Sequence, residues 1–125
     1  MTTAALRIIS NAMQEMNLAY ALGRFSGMAD PYFVGEYQET ESFTEDGLQE
    51  STFLLTGSSR AEWLTLETAK EKIENYFNRI GGKTVIADNG TAVAVFYSHS
   101  LIVPTNDAEL KRIQINLNIK EWKVT

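Results

Sequence analysis

The residues able to do chemistry in this chain are few, and their spacing restricts them further. His99 is the one histidine, so a site built on two imidazoles lacks its second ligand. The absence of cysteine removes thiolate nucleophiles, zinc fingers, iron–sulfur centres and disulfides. Ser98 and Ser100 flank His99, but neighbouring strand residues point to opposite faces, so adjacency alone makes no nucleophile–base pair. His99 therefore reads as a structural or loop histidine. Carboxylates gather in Glu36, Glu39, Glu41, Glu45, Asp46 and Glu50. On a strand, Glu39 and Glu41 share parity and stand about 7 Å apart, a spacing diagnostic of no one reaction. No Asp-x-Asp-x-Asp-Gly calcium loop is present. Gly23-x-x-x-Gly27 lacks the following Lys-Ser/Thr, and Gly81-Gly82-Lys83 follows a helical pattern where a phosphate loop needs a strand. These spacings predict no catalytic residue, no metal site and no cofactor, and they make the acidic run a solvated or partner-facing edge.

Binding residues are easier to nominate. The run Leu110 to Lys123 alternates Ile113, Ile115, Leu117 and Ile119 with Arg112, Gln114, Asn116, Asn118 and Lys120, which predicts a long strand with one dry and one wet face. Trp122 falls on the wet parity, where a large apolar group marks an interface. The amides of Gln114, Asn116 and Asn118 suit a face that meets another polar surface. Trp63, just before the second helical pattern, reads instead as core. The candidate interface is thus Glu39, Glu41, Glu45 and Asp46 on one side, and Arg112, Gln114, Asn116, Asn118 and Trp122 on the other.

The elements that must position these residues follow from periodicity. Ala5, Ile8, Ile9, Ala12, Met13 and Met16 predict a helix over about 4–21 that Gly23 ends. Phe33 and Tyr37 alternate with Glu36 and Gln38, and Asp46-Gly47 is a strong turn signal, so 32–43 and 48–57 form an antiparallel hairpin. Leu66, Ala69, Ile73, Tyr76, Phe77 and Ile80 predict a second helix, capped by Thr65 in preference to the Ser59–Glu62 capping box and stopped by Gly81-Gly82. A short apolar piece at 83–87, a turn at 88–90 and a buried strand at 91–97 follow, then a long connection at 98–108 before the final strand. The fold class expected is α+β: an antiparallel or mixed sheet of about four strands with two helices packed on it, in the order α-β-β-α-β-β.

At 125 residues the chain is the size of one domain, residues 1–125. Its 44% apolar and 22% charged residues match globular chains, so disorder and fibrous repeats are excluded. The net charge of −5 is the wrong sign for a surface that grips nucleic-acid phosphates, and the basic residues are scattered among acids. The start lacks a secretion signal and no run reaches the length of a membrane span, which predicts a soluble protein of the cytoplasm without membrane contact.

Taken together, the short first helix, Tyr32-Phe-Val-Gly-Glu-Tyr-Gln-Glu-Thr-Glu, the Asp46-Gly47 turn, Phe53-Leu-Leu-Thr-Gly and Arg112-Ile-Gln-Ile-Asn-Leu-Asn-Ile-Lys resemble the tail terminator (tail completion, head–tail joining) proteins of long-tailed bacteriophages and prophages. The resemblance spans nearly the whole chain. It implies a helix-covered sheet and a non-enzymatic structural role as a homo-oligomeric ring, typically of six copies, that caps the tail tube. Its implied partners are the tail tube protein below and a head-completion or connector protein above, with DNA only passing through the lumen. Its implied location is the host cytoplasm during assembly and then the tail and neck of the virion. An acidic chain fits such a passage, because like charge removes the counterion-release drive for DNA binding. The alternative reading is a small ligand-binding α+β domain without catalysis, which would need a pocket between helices and sheet.

Overall fold

A computed structural model describes residues 1–39, 47–78, 82–86 and 90–122. Two helices, α1 (Thr3–Glu15) and α2 (Trp63–Tyr76), accompany six strands: β1 (Ala19–Leu22), β2 (Tyr32–Glu39), β3 (Leu48–Ser59), β4 (Lys83–Ile86), β5 (Ala92–Ile102) and β6 (Lys111–Trp122). They form one mixed sheet in the order β1-β2-β3-β6-β5-β4. The β1–β2 pair is parallel and every other pair is antiparallel. The α+β class is as expected, but the sheet has six strands where about four were expected, and the order is α-β-β-β-α-β-β-β.

The extra strand at the start comes from a shorter first helix. Thr2 caps α1 by accepting from the Ala5 amide at 3.1 Å, and the helix buries Ala5, Ile9, Ala12 and Met13. It stops at Glu15 and not near 21, because Asn17 takes the left-handed conformation at φ 63 and the Leu18 amide turns back to the Met13 carbonyl at 3.0 Å. Asn is the residue after Gly that best tolerates this helix-ending geometry. The freed segment Ala19–Leu22 then lies alongside Tyr32–Gly35 as β1, and Gly23, at φ 80, ends that strand instead of the helix.

The hairpin of β2 and β3 pairs as the alternation predicts, with Tyr37 opposite Phe53 and Val34 opposite Thr56. Gly47 sits at φ 85, in keeping with a turn, while residues 40–46 lie outside the described residues. The second helix starts earlier than Thr65: Glu62 occupies the cap position without a side-chain bond, and Thr65 lies within the first turn. Ser59 belongs to β3, where it donates to Asp30 and accepts from the Ala61 amide. The helix also ends earlier, at Tyr76, because Phe77 leaves helical geometry at φ −110, ψ 60. The Phe77 carbonyl is thereby turned to accept from the Tyr97 amide at 2.7 Å.

Both helices cover one face of the sheet. Phe33, Phe53, Leu55, Val93, Val95, Ile113, Ile115, Leu117 and Ile119 meet Ile9, Met13, Leu66 and Ile73 in a single core. The expected connection at 98–108 is partly strand. A register shift between Tyr97 and His99 takes up one residue, so β5 continues to Ile102 and the connection shrinks to 103–110. Two glycines are set by close approach: a Cβ on Gly35 would meet the Phe53 ring at 2.5 Å, and one on Gly57 would meet the Phe33 ring at 2.5 Å.

Candidate assembly interface

Residues directly opposite in an antiparallel pair project to the same face, so the register assigns every strand residue to the helix-covered or the helix-free side. The wet parity of β6 lies on the helix-free side. Arg112 stands opposite Ser58, Gln114 opposite Thr56, Asn116 opposite Leu54, Asn118 opposite Thr52, Lys120 opposite Glu50 and Trp122 opposite Leu48. Arg112, Gln114, Asn116, Asn118 and Trp122 therefore form one stripe down the middle of the helix-free face, as the alternation predicts.

That face has three physical features. Its two basic side chains are both engaged, Lys120 lying 3.8 Å from Glu50 and the Arg112 Nε donating to the Ser58 hydroxyl at 3.2 Å. At one end, Leu48, Trp122, Ala92 and Ile86 fall in a single row across β3, β6, β5 and β4. In that row Trp122 is 38% and Ile86 73% exposed, which is costly apolar surface to leave in water. In the middle, Asn116 lies between Leu54 and His99 and is only 7% exposed, although it belongs to the wet stripe. Its Nδ2 finds no hydrogen-bond partner among the described residues. Shallow hollows of about 280 and 290 Å³ flank Asn118, one reaching Thr52 and Lys120 and the other Phe96 and Lys120.

The acidic group does not gather on this stripe. Glu36, opposite Leu54, faces the helix-free side, but Glu39, opposite Ser51, faces the helix side, where its carboxylate holds the Met1 amine at 2.5 Å. Glu41, Glu45 and Asp46 lie outside the described residues. Trp63 is not core: it is 40% exposed, because α2 begins at this residue and turns its first turn outward, with Leu64 69% exposed beside it. His99 is exposed, and the strand irregularity brings the Ser98 hydroxyl to 2.9 Å from its Nδ1, a contact that strict alternation would not allow.

Sequence reasoning passed over Glu121, although its parity with Ile113, Ile115, Leu117 and Ile119 marks it as a carboxylate on the dry face. It is fully buried and accepts from the Thr2 amide at 3.2 and 3.3 Å and from the Thr2 hydroxyl. Ile86 and Leu48 were also missed, since only the pairing of distant strands puts them in the row of Trp122.

Electrostatics elsewhere tie loops to the sheet. The Ser59 hydroxyl and the Arg60 amide, both bonded to Asp30, hold its carboxyl below the usual carboxylate range. The Glu109 amide and the Arg60 guanidinium do the same for Asp107. Burial raises the Tyr20 phenol to about 12. Among the described residues no three His, Asp or Glu side chains are grouped to hold a metal ion, and no helix is long and apolar enough to cross a membrane.

No known protein-family profile matches the chain, and no curated protein matches its sequence. Its fold is nevertheless similar to that of a solved chain from the virion of a native gene transfer agent particle. That likeness covers 95% of this chain and 90% of the other, with a TM-score of 0.62 at 12% identity, and so it is a likeness of the whole fold.

Proposed function

We propose that this chain is a structural protein of a phage-like virion, and that within the virion it acts as a tail terminator, a ring of copies that caps the tail tube and joins it to the head-completion complex. The fold likeness to a chain of a gene transfer agent virion carries the first step, because it runs over nearly the full length of both chains. The helix-free sheet face supports an assembly role: a broad, amide-rich surface with an apolar row at one end suits contact with another protein. The second step rests on the strand patterns around Tyr32, Phe53 and Arg112. Homo-oligomerisation, contact with tube and connector proteins, DNA passage through the lumen and the absence of catalysis belong to this reading.

The test is particle mass by light scattering over a wide concentration range, with negative-stain images, alone and with purified tail tubes. Closed rings that sit on tube ends and stop further tube growth are expected. Rings that bind head connectors but not tubes would move the protein to another position in the neck. A ligand-binding domain is the competing reading, and the hollow of about 390 Å³ between α1 and β1, lined by Ser10, Gln14, Asn17 and Tyr20, is the seat it would use. Saturable heating or cooling in calorimetry with a metabolite mixture, lost on Gln14→Ala, would favour it.

A further inference from the structure

The two edges of the sheet are stepped in opposite senses. On one edge, β1 pairs only with Tyr32–Gly35, so among the described residues no strand lies outside Glu36–Glu39 of β2. On the other, β4 pairs only with Ala92–Val95, so among those residues no strand lies outside Phe96–Ile102 of β5, of which His99–Ile102 is the far end. The register places Glu36, Leu54, Asn116 and His99 in one row across the sheet. Relative to that row, β1 projects toward the Tyr32 end at one edge and β4 toward the Trp122 end at the other. Each edge therefore has a four-residue step beside an open stretch, four residues long on β2 (Glu36–Glu39) and seven on β5 (Phe96–Ile102), where the Tyr97 amide is already taken by the Phe77 carbonyl.

From this outline we infer that copies of the chain join edge to edge into a continuous sheet, with β1 of one copy entering the open stretch beside His99–Ile102 of the next, and β4 of that next copy facing the Glu36–Glu39 stretch. The inference rests on the assembly reading above and names its contact. Strand direction agrees: β1 runs with β2 and β5 runs against it, so β1 meets β5 antiparallel when both copies keep the same orientation. Composition agrees as well. Ala19–Leu22 and His99–Ile102 contain no Asp, Glu, Lys or Arg, and they leave Leu22 48%, Leu101 45% and Ile102 61% exposed. The β2 stretch carries Glu36 and Glu39, whereas β4 carries Lys83. Two β2 edges set against each other would oppose carboxylates, which disfavours a two-fold pairing and leaves the heterologous one. A heterologous contact between unlike edges is the kind that closes into a ring.

The chain has no cysteine, so engineered thiols report the contact without background. Leu22→Cys and Ile102→Cys both lie on exposed positions of the helix-covered face, by their pairing with Gly35 and Ile113. Each variant should melt like the parent under reducing conditions. With a short bis-maleimide, each alone should stay uncross-linked, their mixture should give a covalent dimer and nothing larger, and the double variant should give a ladder ending at the ring. Cross-linking of either single variant with itself would overturn the heterologous contact. Oligomers seen by scattering while the mixture stays uncross-linked would overturn the edge contact and leave the virion-assembly reading standing. A chain that stays monomeric at all concentrations and beside tail tubes would overturn both.

Discussion

Glu121 and Thr2 are bound to each other across the fold: the buried carboxylate near the end of β6 accepts from both the amide and the hydroxyl of the residue that caps α1. The Thr2 hydroxyl in turn accepts from the Ala5 amide, so one side chain links the last strand to the first helix. A carboxylate at a helix N-terminus is favoured by the unpaired amides and the helix dipole. Glu121→Ala would leave these donors buried without an acceptor and should lower unfolding free energy by about 2–4 kcal/mol. Thr2→Ala should cost about 1–2 kcal/mol. Urea denaturation of the two variants and their double would show less than additive losses if the link is as described.

Asp30 and Asp107 give the acid limb of stability a definite sign. Both carboxyls are held below their ordinary value of 3.8 by bonds made only in the fold. Their contribution is present above that value and is lost as pH falls through the lower folded values. Urea midpoints should therefore hold from about pH 7 to about pH 4 and fall below it. Asp30→Asn should lower the midpoint near neutrality and flatten the fall. An unchanged acid limb in that variant would remove Asp30 from the account.

Gly35 and Gly57 are predicted to resist enlargement. An added Cβ at Gly35 would stand 2.5 Å from the Phe53 ring and 2.7 Å from the Tyr20 hydroxyl, and one at Gly57 would stand 2.5 Å from the Phe33 ring. These rings are fully buried core and cannot swing into solvent. Either Gly→Ala change should cost about 1–3 kcal/mol. A thermal midpoint within a degree of the parent would show that the strands part more readily than the packing implies.

Ile86 offers a separation of fold from assembly. It is 73% exposed at the end of the apolar row, so Ile86→Ser should leave the unfolding free energy within about 0.5 kcal/mol of the parent. If the row is covered in the assembled particle, the same change should weaken self-association or tube capping by about tenfold. Light scattering and tube-capping images read the second effect, and denaturation reads the first.

Much of the fold was legible in local pattern. The alternation in β6 and in the β2–β3 hairpin names the buried residues correctly, because a strand with one dry face must place apolar groups at every second position. The wet stripe from Arg112 to Trp122 follows by the same rule. The ends of elements were less legible. Asn17 ends α1 and Phe77 ends α2, although glycines further on carried the stronger textual signal, because tertiary contacts reward the earlier exits with a β1–β2 ladder and a bond to Tyr97.

What the sequence by itself determined is therefore the fold class, the main strand faces and the absence of cysteine chemistry, all of which depend on residues near one another in the chain. Only the tertiary structure decided that Glu121 meets Thr2, that Trp122 and Ile86 share a row, and that the two sheet edges are stepped in opposite senses. Those relationships depend on the register between strands tens of residues apart, which is set by burial across the whole sheet and is carried by no local run of residues.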